Sequence, residues 1–256
     1  MTMGSVYSEF LKLKHSMSWS VVLVVPIIMV VSGSVSTIVG QGSFADGWHT
    51  LWIRSVGFYG MAILPVVVAI LASLVWRVEH KNGNWNALMS RPVPTAEVVL
   101  GKIAAISALS AVMQVVLVIT VVILGKAFGL PGMLPAKYFL GSVLIMLACI
   151  PLAALQSALS AFLRSFAVPV MIALVMTGIC TVLLQLKLTA VLAIPYGLLT
   201  HTTQLGTILV SGQKTSFNAS DLSVFSVSFV LGATAVMTAL IVAVTTWILN
   251  RSDTRA

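Results

Sequence analysis

The chain is 256 residues long, 59% hydrophobic and only 8% charged, with a mean hydropathy of +1.09. A water-soluble domain needs roughly a quarter of its residues charged, so this composition excludes one and calls for a bilayer. The +8 balance, 14 basic against 6 acidic residues, is scattered between apolar runs; it excludes a nucleic-acid partner and points to membrane topology.

Residues 1–18 read as an amphipathic helix on the inner membrane surface. Val6, Phe10, Leu13 and Met17 share one helical face, with Ser8, Glu9, Lys12 and His15 opposite. Lys12 and Lys14, then Val21–Val31 and the small residues Ser32-Gly33-Ser34, also resemble a signal peptide, but the apolar run continues to Val39. A spanning helix needs about 20 apolar residues. Six runs qualify: Trp19–Val39, Val56–Trp76, Ile103–Leu124, Tyr138–Ala161, Val168–Leu186 and Leu222–Leu249. Leu188–Leu199 is apolar but short and contains Pro195, so it is expected to dip into the membrane or lie on it. The fold class is therefore an all-α integral membrane protein, with residues 19–256 as a single six-helix domain.

An even number of crossings puts both termini on one side. With that side in the cytoplasm, Lys12, Lys14, Arg77, Lys81, Arg91, Lys102, Arg164, Arg251 and Arg255 lie inside. Arg54, Lys126, Lys137, Lys187 and Lys214 lie outside, which follows the positive-inside bias. Trp19, Trp76 and Trp247 then fall where an inner aromatic belt is expected. Gly40–Ser55 and Lys187–Asp221 are the outer segments.

The loop 77–102 is the long polar interruption between two strongly apolar runs. Trp85, Leu88 and Met89 fall at i, i+3 and i+4, giving a short helix with one apolar face on a basic body. That face suits a soluble partner; an interfacial helix anchored by Trp85 among headgroups is the alternative. Pro92 and Pro94 stop the helix, Thr95 suits an N-cap, and Glu97 suits the positive end of the next helix.

Chemistry is otherwise sparse. Gly101-Lys102 and Gly125-Lys126 lack the remainder of a phosphate-binding loop, His15, His49, His80 and His201 make no H-E-x-x-H, and no G-x-S-x-G occurs. No catalytic, cofactor or metal residue is assigned. No carboxylate lies at the centre of a run, which argues against an ion-coupled carrier. Ala153, Ser157 and Ala161 form one small-residue face for close helix approach. Gln114 and Gln156 serve either helix packing or a substrate path, and Cys149 and Cys180 read as packing residues.

Glu79, Gly83, Trp85, Leu88-Met89, Pro92 and Gly101-Lys102 resemble the coupling segment of type-2 ABC exporter permeases. The leader Ser8-Glu9-Phe10-Leu11-Lys12-Leu13-Lys14 is similar to the start of the lantibiotic-immunity branch of that family. Asn84 departs from the small hydroxyl residue that many members carry there. The resemblance implies a bacterial cytoplasmic-membrane exporter in which Glu79, Gly83, Trp85, Leu88, Met89, Arg91 and Pro92 couple to an ATPase. Two P-loop ATPase subunits, holding ATP and magnesium, would drive this chain paired with a second permease, identical or homologous. The substrate would be an amphipathic molecule such as an antimicrobial peptide, taken from membrane lipid. The competing expectations are a self-contained carrier or channel for a small apolar solute, and an intramembrane enzyme acting on lipid.

Overall fold

The computed structural model describes residues 17–80, 94–206 and 222–253, and every regular element in them is helical. In chain order these are α1 (Ser18–Gln41), α2 (Trp48–Phe58), a π-turn (Tyr59–Ile63), α3 (Leu64–His80), α4 (Thr95–Ala127) and α5 (Ala136–Phe162). Then follow α6 (Ala167–Gln185), a 3₁₀ turn (Thr189–Ala193), α7 (Pro195–Gln204) and α8 (Val224–Asp253). With α2, the π-turn and α3 counted as one, six helices are long and apolar enough to cross a membrane. The amphipathic leader and the short loop helix lie outside the described residues.

All six expected runs are helices, but two start earlier than hydropathy alone indicated. The second begins at Trp48, inside the segment expected to be an outer loop, so Arg54 sits on a helix and not in that loop. The reason is interior partners that hydropathy does not see. Trp48 Nε1 donates to the Pro131 carbonyl at 2.7 Å, and the rings of Trp52 and Tyr138 lie 5.0 Å apart. The third, α4, begins at Thr95, which is therefore the first helical residue and not the expected N-cap. Pro94, with φ −55° and ψ 134°, caps it without a side-chain hydrogen bond, and Glu97 lies in the first turn as expected.

α5 is the central helix and packs against α3, α4, α7 and α8. Ala153, Ser157 and Ala161 are all buried on it, consistent with the small-residue face. Backbones also meet closely elsewhere. A Cβ on Gly33 of α1 would lie 2.6 Å from the Arg54 carbonyl oxygen, so glycine is what lets α1 and α2 touch. Gly33 and the buried Ser34 thus lie on the inward face of α1, while Ser32 is exposed. Cys149 and Cys180 are buried free thiols, as their placement in apolar runs implies.

Pro65 explains the π-turn. Proline has no N–H, so the Met61 carbonyl cannot receive the usual helical bond from the residue four positions on. The ladder widens there, with the Leu64 N–H reaching back to Tyr59. The Thr181 hydroxyl of α6 donates to the Met61 oxygen at 3.0 Å, which satisfies that carbonyl from a neighbouring helix.

The short apolar stretch after α6 forms the 3₁₀ turn and then α7, with Pro195 at the first helical turn, where its missing N–H costs nothing. α7 runs on to Gln204, beyond the expected end at Leu199. It is buried against α5 and α6, and Thr200, Thr202 and Thr203 face the interior. A helix this short, enclosed by longer ones, has the form of a re-entrant element. Gly60 in the π-turn lets it approach, since a Cβ there would lie 2.1 Å from the Thr203 hydroxyl oxygen.

Candidate functional site

Glu79 lies one residue before the end of α3, and Lys102 lies two turns into α4. Both side chains are buried. The Lys102 ammonium donates to Glu79 Oε1 at 3.1 Å, and it lies 4.7 Å from the Trp76 ring centroid. The Val75 carbonyl stands 3.5 Å from the same nitrogen. A lone charge in this environment would be costly; the pair, the carbonyl and the aromatic face together make it tolerable. The two helices that carry the 81–93 segment are therefore tied together at its base.

The tie extends to a third helix. Trp76 Nε1 donates to the Ser157 hydroxyl at 2.8 Å, and His80 Nε2 stands 2.7 Å from the Ser160 carbonyl. The Ser73 and Ser160 hydroxyls lie 3.3 Å apart. The end of α3 is thus fastened to both α4 and α5. Beside it, Ser73, Arg77, Ser160 and Arg164 line a cleft of about 220 Å³ whose charged groups are basic.

Glu79 was expected as a flanking contact on the docking surface. Its carboxylate turns inward and accepts from the Lys102 ammonium. Trp76 was expected in the lipid-facing aromatic belt. It is 1% exposed and serves as a structural hub, whereas Trp19 and Trp247 are exposed as a belt requires. Gly83, Trp85, Leu88, Met89, Arg91 and Pro92 lie outside the described residues. Lys102 carries the geometry; the sequence placed it among the inner-side charges and within the resemblance, but gave it no partner. Its signal in the sequence is a lysine directly beside an apolar run, Gly101-Lys102-Ile103-Ala104, a setting that demands a counter-charge.

Gln114 and Gln156 are not brought together with this site. Gln114 Nε2 donates to the Ser142 hydroxyl at 3.3 Å, joining α4 to α5. Gln156 Nε2 donates to the Tyr196 hydroxyl, joining α5 to α7. Both are buried, and the Oε1 atom of each has no hydrogen-bond partner among the described residues.

No curated protein and no solved structure matches the chain. The family described as ABC-2 family transporter protein matches residues 5–179, which include α1 to α5, most of α6 and the whole 77–102 loop. That span is well over half of the 256 residues. The chain belongs to the ABC-2 transporter family, as a multi-pass, non-catalytic permease subunit of the kind that associates with ATPase subunits.

Proposed function

We propose that the chain is the permease of an exporter that moves an amphipathic substrate outward, with ATP and magnesium held by two partner P-loop ATPases. The observation that carries this reading is the buried Glu79–Lys102 pair at the base of the loop. A force applied to residues 81–93 passes to α3 and α4 as one body, and through Trp76 and Ser157 to α5. Trp85, Leu88 and Met89 form the docking face, Gly83 and Pro92 shape the segment, and Arg91 meets acidic groups of the ATPase. A second permease, identical or homologous, completes the path. The termini lie on the cytoplasmic side of a bacterial membrane, and the substrate is an antimicrobial peptide of the lantibiotic kind, drawn from membrane lipid.

Everted vesicles holding the permease with its ATPase test this. ATP should drive uptake of a fluorescent lantibiotic-type peptide. L88E and M89E should abolish uptake while the protein still inserts and the ATPase still turns over. Unchanged uptake by both variants would contradict the docking face. Uptake driven by an ion gradient without ATP would establish the self-contained carrier instead.

A further inference from the structure

A second cleft, of about 130 Å³, opens between the π-turn, the end of α6 and α7. Helix order puts it at the end of the bundle opposite the chain termini, away from the Glu79–Lys102 site. Its lining divides by chemistry. Met61, Leu184 and Leu188 give an apolar wall; Thr200, Gln204 and Lys187 give a polar one. Lys187 is the one formally charged residue among Lys, Arg, Asp and Glu in that lining.

Three observations mark this cleft as built to hold something. First, the Thr200 hydroxyl is buried and has no hydrogen-bond partner among the described residues. A buried hydroxyl without a partner is unfavourable unless a ligand or water satisfies it. Second, Lys187 occupies a position that favours glycine. Its N–H bonds to the Leu184 carbonyl, and the Leu188 N–H to the Leu183 carbonyl, both at 3.0 Å, which is a Schellman end to α6. The residue at that corner has φ +62°, where any side chain costs free energy and a lysine gains nothing from the turn itself. Third, Leu186 and Leu188 flank the lysine and are 65% and 49% exposed, so an apolar rim stands beside the charge.

We propose that this cleft binds the headgroup of an anionic phospholipid. The Lys187 ammonium and the unpartnered Thr200 hydroxyl match a phosphodiester, which has one negative charge and several acceptor oxygens. The volume admits the phosphate end alone, and the acyl chains lie along Leu186 and Leu188. A chain that spans a bilayer has such lipids beside it at high local concentration. The site requires no ATPase and no export substrate, so it stands apart from the transport reading.

The test uses the purified full-length chain, delipidated in dodecyl maltoside and titrated by native mass spectrometry. Probes are dioleoyl phosphatidylglycerol, dioleoyl phosphatidylcholine and inorganic phosphate. Phosphatidylglycerol should bind at least about tenfold more tightly than phosphatidylcholine, which has the same phosphate but carries a quaternary ammonium that would stand beside the Lys187 ammonium. K187G should fold as stably as the wild type or more so, because it relieves the left-handed corner, yet lose that preference. T200V should weaken phosphatidylglycerol binding by several-fold. K187R should retain it. Equal binding of the two lipids, or an unaltered preference in a folded K187G, overturns the proposal. Displacement of the lipid by inorganic phosphate at equal concentration overturns it as well, since the site would then recognise a free anion.

Discussion

Substituting Lys102 by methionine strips a buried carboxylate of its counter-charge, the costlier way to break such a pair. K102M should destabilise the protein by about 3–5 kcal/mol, whereas E79Q/K102M should recover much of that loss. Thermal unfolding in detergent would measure both, and equal melting of the single and double variants would contradict the pairing. At this scale the sequence showed its polar residues but not their direction. Glu79 looks like a surface acid by position, since it follows an apolar run and opens a polar loop. Only the packing of α3 on α4 reveals that it faces Lys102. Trp76 misled for the same reason, because a tryptophan at the edge of a run suits a lipid interface and an interior hub equally well.

Helices were legible because length and hydropathy decide them; their starting points were not, because tertiary partners set those. The aromatic start of α2 and the continuation of α7 both depend on contacts with helices distant in sequence. Pro65 leaves one carbonyl to be satisfied elsewhere, but Pro26 and Pro151 lie inside unbroken α-helices, so proline alone did not make the π-turn legible. T181V should therefore cost about 1–3 kcal/mol by leaving the Met61 carbonyl without that donor. G60V should do more harm, pushing α7 off the π-turn, and T203G should restore part of the loss by clearing the space. Limited proteolysis of the segment after Gln204 would report the displacement. An unchanged cleavage pattern in G60V would count against close packing of these two elements.

The molecule as a whole presents broad apolar faces on α1, α6 and α8. Phe225, Leu240 and Trp247 of α8 are among the exposed apolar side chains, as expected of helices that meet lipid or a second permease. The arrangement of spans also fixes relative sidedness. Positive charge gathers at the end that carries Arg77, Arg164 and Arg251, so that end should be cytoplasmic. A green fluorescent protein fused after Ala256 should fluoresce, and alkaline phosphatase inserted at Gly129 should be active. The reverse pair would invert the topology and with it the direction of force on the coupling loop. The expected orientation rests on charge counting alone, whereas the joining of the end of α3 to α4 and α5 came only from the structure.

A soluble ATPase that grips residues 81–93 is the proposed motor. Gentle detergent extraction of the tagged permease from its native host, followed by identification of what accompanies it, tests this most directly. A P-loop ATPase should accompany the wild-type chain and be lost from L88E, which should extract in the same amount with an unchanged melting temperature. A permease that stays alone, or an ATPase retained in full by L88E, would contradict it.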